Sequence, residues 1–203
     1  MLEDNYQKQL TFLEDYLKTK GDFTITVQPN KRRAFDGTPL MWYNISHPKI
    51  AITYENYFKD TDRLRKPQFL NRFINAVLAK IERFKTCSDY FDATDKYHMQ
   101  FLDPNTDTLD LVITHLDTNR KYVLTESHEE WHGKRKRLKT SIYRLQRQLT
   151  FKPITEDSKW QEDRNPIMTV NLTTFIRKPT PAELEATILN ELKHDTQIYF
   201  DYN

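Results

Sequence analysis

Two groups of residues in this sequence have the types and spacing to do chemistry. The first is His128-Glu129-Glu130-Trp131-His132, two imidazoles four positions apart with a carboxylate beside the first. On a helix, positions i and i+4 lie on one side, so both rings can share a zinc ion while the carboxylate activates a bound water. The second group overlaps it. Lys134, Arg135, Lys136, Arg137, Lys139, Arg144 and Arg147 follow, and Glu129 and Glu130 are the only acidic residues between 128 and 152. A one-sided basic row of this kind neutralises phosphate charge. Lys31-Arg32-Arg33 forms a third, smaller cluster suited to the same task.

The five residues of the first group fit H-E-x-x-H and resemble the zincin metalloproteases over that stretch alone. The resemblance implies His128 and His132 as zinc ligands and Glu129 as the general base of a hydrolase. The competing reading makes both histidines exposed residues and Glu130 a capping partner of Ser127.

The elements that must position these groups follow from periodicity. Ser127 with Glu130 three residues on is a capping-box pattern. Trp131, Leu138, Ile142, Leu145 and Leu149 then keep three- and four-residue spacing. The pattern predicts a long helix over 128–149. At 100° per residue that helix carries Lys136, Arg137, Arg144 and Arg147 opposite its apolar seam.

Elsewhere the spacing predicts helices over 2–19, from Pro67 to Phe84, and after Thr180-Pro181-Ala182-Glu183, a second capping box. Alternation predicts strands at 23–27, 40–45, 49–54 and 167–176, with 28–38 a basic loop or hairpin tip and 150–166 a connecting loop. Residues 97–102, 109–116 and 121–125 read as an antiparallel meander with Tyr97, Met99, Phe101, Leu109, Leu111, Ile113, Tyr122 and Leu124 on its core face. The fold class expected is α+β, with antiparallel hairpins and a meander packed against three to four amphipathic helices. One compact domain over 1–203 is expected, with 1–87 and 88–203 as its possible subdivision.

Composition narrows the function further. The chain has 203 residues, of which 30% are charged and 13% aromatic, and this argues against disorder. Its three glycines are isolated from one another, so neither a Walker A loop nor G-x-G-x-x-G is possible. One cysteine, Cys87, excludes an intramolecular disulfide and a cysteine-based zinc cage, and fits a reducing compartment. No apolar run approaches the roughly 18 residues that span a bilayer. MLEDNYQKQL is polar and acidic and is not expected to be a signal peptide, so a cytoplasmic location without a membrane partner is expected. The net charge of +2 is a cancellation between basic and acidic blocks, +6 over 128–152 against −4 over 153–203.

The expected function is binding rather than catalysis. Nucleic acid or a nucleic-acid–protein complex is engaged by Lys136, Arg137, Arg144 and Arg147, helped by Lys31, Arg32 and Arg33, with no cofactor. The low glycine content with abundant Lys, Asn, Asp and Tyr resembles products of AT-rich bacterial, plasmid or phage genomes, which makes a mobile-element accessory protein or an inhibitor of a host nucleic-acid enzyme the expected context. A zinc-dependent hydrolase and a module for an acidic protein partner are the alternatives. In this last case, the acidic blocks of the chain itself compete for the same cations.

Overall fold

The structure, a computed structural model, describes residues 2–33, 39–58, 68–132, 137–150 and 167–194. Four helices and two antiparallel sheets give an α+β architecture. The chain divides into two compact units, Met1–Arg83 with Gln100–Asp107, and Phe84–Met99 with Thr108–Asn203.

The first unit holds α1 (Leu2–Lys18), β1 (Thr24–Arg33), β2 (Pro39–Ser46), β3 (Tyr54–Tyr57) and α2 (Gln68–Arg83), with the strands in the order β1-β2-β3. Gly21, with φ of 115°, turns the chain from α1 towards β1 in a conformation that a side chain would strain. Tyr43 and Ile45 of β2 are buried with Leu13, Leu17, Phe23, Phe58, Leu70, Phe73, Ile74 and Val77. Edge-on ring contacts run from Tyr6 to Phe58 at 4.8 Å and from Phe23 to Phe73 at 6.5 Å. The apolar stripe of α2 is narrower than its sequence predicts: Phe69 and Leu78 are exposed, and Phe69 lies under the Arg72 guanidinium. Lys80 of α2 is buried, its ammonium donating to the Thr106 carbonyl at 2.9 Å and hydroxyl at 3.1 Å. The segment 49–54, expected as a strand, supplies one isolated parallel bridge from Ile50 to Phe101, and the strand proper begins at Tyr54. Pro48 precedes it, and a proline displaces ladder pairing in a sheet interior.

The second unit is built on β4 (Tyr97–Phe101), β5 (Leu111–His115), β6 (Arg120–His132), β7 (Arg137–Thr150) and β8 (Ile167–Phe175), ordered as in sequence; Gln100 and Phe101 of β4 count with the first unit. α3 (Lys85–Asp92) and α4 (Pro181–Lys193) belong here as well. The expected meander is present, and all eight of its core-face residues are buried. Asn119 takes a left-handed φ of 52° in the tight turn between β5 and β6. Phe84, Cys87 and Phe91, just before or in α3, and Leu184 and Ile188 of α4 are buried, whereas Leu189 is exposed. α4 begins on the expected capping box. The Thr180 hydroxyl accepts the Glu183 amide at 3.3 Å, and the Glu183 carboxylate accepts the Thr180 amide at 2.8 Å.

The helix expected over 128–149 is absent. β6 and β7 occupy that stretch as a long antiparallel hairpin, in register from Lys121↔Gln148 to His132↔Arg137. Ser127 and Glu130 therefore cap no helix. Gly133, which costs a helix interior about 1 kcal/mol, stands in the four-residue connection, which lies outside the described residues. α3 has no counterpart in the sequence expectations.

Candidate nucleic-acid interface

The β6–β7 hairpin is unequal along its length. Near its root it is flanked on both sides. β5 pairs with β6 only from Arg120 to Leu124, and β8 pairs with β7 only from Tyr143 to Thr150. The six pairs from Ser127↔Ile142 to His132↔Arg137 have no lateral strand among the described residues. They form a two-stranded ribbon extending roughly 17 Å beyond the sheet, at about 3.4 Å per residue.

Carboxylates fix the point at which β5 lets go. The Glu126 amide donates to the Asp110 carboxylate at 2.6 Å. The Glu126 carboxylate accepts the Leu109 amide at 2.7 Å on one oxygen and the Tyr143 hydroxyl at 3.0 Å on the other. Thr108 donates its hydroxyl to the second Asp110 oxygen at 2.6 Å. Side chains thus take over two backbone donors at the end of the β5–β6 ladder. The two amides and two carboxylates at the branch therefore all have partners. Burial, followed by the Glu126 hydrogen bond, raises the Tyr143 hydroxyl above its ordinary pKa.

The basic residues do not form one face. Alternate strand positions point to opposite sides of a sheet, and Arg144 and Arg147 differ by an odd number. Arg144 lies on one side, 3.3 Å from Glu129 and 3.2 Å from the Ser127 hydroxyl. Arg147 lies on the other, 2.5 Å from Glu191 of α4. That carboxylate also receives the Tyr122 hydroxyl at 2.6 Å and sits 3.5 Å from Arg120. The side chains of Glu191 and Arg147 are 9% and 17% exposed, so Arg147 is committed to the interior. Burial and the Glu191 hydrogen bond drive the Tyr122 hydroxyl strongly upward. The helical stripe of four cations therefore does not form, and Arg144 and Arg147 are instead paired on opposite sides near the hairpin root. Lys136 lies outside the described residues, and Arg137 opens β7 opposite His132.

The strand geometry also removes the premise of the zinc reading. His128 and His132 are four strand positions apart, roughly 13 Å between Cα atoms rather than the single helical turn that lets two imidazoles share an ion. The His128 ring is exposed and bonded through Nδ1 to the Ser141 hydroxyl at 3.1 Å. Glu129, the expected general base, pairs with Arg144. Among the described residues no three His, Cys, Asp or Glu side chains are grouped to hold a metal. Asp103, Asp107 and Asp110 serve other ends. Asp103 accepts the Asn105 amide within its turn, Asp107 pairs with Arg83, and Asp110 takes the Glu126 amide.

The third basic cluster lies in a comparable setting within the other unit. β3 pairs with β2 only from Trp42 to Ile45, whereas β1 and β2 continue to pair at Pro29↔Met41 and Arg33↔Pro39. Lys31, Arg32 and Arg33 thus fall in the part of the β1–β2 hairpin that extends past β3. Pro29, which has no amide to donate, is tolerated because β1 is an edge strand. Of the aromatics considered for base stacking, Tyr43 is buried and Tyr54 packs on Phe73 at 5.7 Å, while Trp42 lies 5.9 Å from the exposed Tyr57.

Comparisons with protein-family models, with curated proteins and with solved structures return no match. No helix among the described residues is long and apolar enough to cross a membrane. The sequence reasoning missed the ribbon and its root, Asp110 and Glu126. Gly133 in mid-segment and the β-formers Thr140, Ile142 and Tyr143 were the available signals.

Proposed function

We propose that this protein binds nucleic acid through the distal end of the β6–β7 ribbon, by charge neutralisation of phosphates with little base readout. The observation that carries the reading is the coincidence of a two-stranded ribbon, with no lateral strand among the described residues, and the densest basic run of the chain. Lys134, Arg135, Lys136, Arg137 and Lys139 fall within six consecutive residues, with no acidic residue among them. Lys31, Arg32 and Arg33, at the end of the β1–β2 hairpin, are a second basic contact of the same kind. Arg144 and Arg147 take no part, because Glu129 and Glu191 already hold them. The target is bare nucleic acid or nucleic acid within a protein complex, as for an accessory protein or inhibitor of a nucleic-acid enzyme.

The test is a salt titration of binding. Each phosphate contact contributes about −0.9 to the slope of log affinity against log salt on duplex DNA. Lys134, Arg135, Lys136 and Arg137 changed together to Glu abolish binding, while Arg147→Gln leaves the slope as it was. Wild-type protein that binds no DNA or RNA at low salt overturns the reading.

A further inference from the structure

We propose that a cleft in the first unit binds a small uncharged molecule bearing a carboxamide, with its carbonyl on His47 and its N–H on Asp22. The cleft lies beside the start of β1 and the end of β2, and no residue of either basic cluster lines it. Its volume is about 540 Å³, within the roughly 300–1,000 Å³ usual for small-molecule sites. Phe23, Pro48, Ile50 and Ala51 give it an apolar wall. Hydrogen bonds hold that wall in place without a ligand. The Ile50 amide donates to the His47 carbonyl at 3.0 Å, and the Ala51 amide to the Phe101 carbonyl at 2.8 Å. The Gln100 side-chain amide donates to the Pro48 carbonyl at 3.1 Å. A site built in advance spares a ligand the cost of ordering it.

His47 supplies the group that these bonds leave unused. It is 7% exposed, lines the cleft and packs on Phe23 with ring centroids 4.7 Å apart. Its Nδ1 accepts the Lys49 backbone amide at 3.1 Å. A neutral ring that accepts at Nδ1 carries its proton on Nε2. That Nε2–H has no acceptor among the described residues. A nearly buried donor left open is unfavourable, and an acceptor entering the cleft relieves it. The second unused group is Asp22, exposed at the rim, whose carboxylate accepts no hydrogen bond from the described residues. An amide carries a carbonyl acceptor beside an N–H donor and so complements this pair. A carboxylic acid does not, because its charge meets that of Asp22. Lys49, the nearby cation, does not line the cleft.

Benzamide and benzoate, alike in size and unlike in charge, are the probes. Each is titrated at neutral pH into the isotope-labelled full chain and followed by NMR. Benzamide is expected to shift the His47 Nε2 signal and the Ile50 and Ala51 amides saturably, and benzoate to bind about tenfold more weakly. Asp22→Asn is expected to close that gap. His47→Phe keeps a ring and loses the donor, and is expected to weaken benzamide about tenfold. If that variant fails to fold, Asp22→Asn, altered at the exposed rim, still decides. The absence of a saturable benzamide shift shows a cleft that holds water only and overturns the proposal. Equal affinity of the wild type for both probes, a gap unchanged in Asp22→Asn, or undiminished benzamide binding to folded His47→Phe overturns it as well.

Discussion

Asp110 and Glu126 close the fork at which β5 parts from the β6–β7 hairpin: the Glu126 amide donates to the Asp110 carboxylate at 2.6 Å. The Asp110→Ala change leaves that strand-end amide to water and detaches Thr108. A stability loss of about 1–2 kcal/mol is expected in chemical denaturation. Hydrogen exchange at the Glu126 amide rises with it. Asp110→Asn keeps an acceptor and loses less. Unchanged protection in the alanine variant would sink the assignment.

Glu191 is the hub of a buried set made of Tyr122, Arg120 and Arg147. Glu191→Ala takes the carboxylate away from the largely buried Arg147 guanidinium, and a loss of about 3 kcal/mol is expected. A double-mutant cycle between Tyr122→Phe and Glu191→Gln should show a coupling energy, because the two share one hydrogen bond. Additive losses would show that the bond contributes nothing beyond its separate ends.

His47 gives the first unit a dependence on pH. It is buried, and its Nδ1 accepts the Lys49 amide at 3.1 Å, a bond that only the neutral ring can make. Burial holds its pKa below 6.5, with Asp22 acting against the shift and Lys49 adding to it. The unfolded chain therefore binds the extra proton first. The contribution of His47 is complete above about pH 6.5 and is lost as the pH falls through the lower folded value. Denaturation across that range should show wild type declining relative to His47→Asn, which retains an acceptor without a titrating ring. Parallel curves would show that the ring is not held neutral.

The start of α4 predicts a second, more acidic transition. The Arg177 hydrogen bond, then the Thr180 amide and hydroxyl, pull the Glu183 carboxyl down to about 2. A carboxylate depressed on folding stabilises above its unfolded value near 4.5 and loses that contribution as pH falls through about 2. Because Arg177 and Glu183 are solvent-accessible, added salt should weaken the effect. Thr180→Ala is expected to cost about 1 kcal/mol through the lost cap. A thermal midpoint unmoved by that change would count against it.

Elements with a buried face were legible in the sequence. Alternation at Leu111, Ile113, Tyr122 and Leu124 marked the meander because each of these residues enters the core. Thr180-Pro181-Ala182-Glu183 marked α4 because its capping chemistry is local. The hairpin was not legible past Glu126 for the same physical reason. His128, Glu129 and Thr140 there are exposed and Ser127, Ser141 and Ile142 only half-buried, so no two-residue period is written along that stretch. The three- and four-residue spacing from Trp131 to Leu149 filled the gap with a helix. Leu145 is in fact buried, while Ile142 lies on the opposite side of the strand. The partners of the arginines were equally hidden, since Glu191 lies 44 positions from Arg147.

A ribbon with no lateral strand among the described residues is also a hazard. Its outward amides and carbonyls are a template on which another chain can add a strand. Charged positions at Glu129 and Glu130 on one edge and Arg137 and Lys139 on the other make addition of like edges unfavourable, since two copies would then bring like charges together. The charges of the segment proposed to meet nucleic acid are thus the same ones that would oppose pairing of like edges between copies. Neutralising them would confuse lost binding with self-association, whereas reversal to Glu would remove the proposed nucleic-acid contact and keep like charges on like edges.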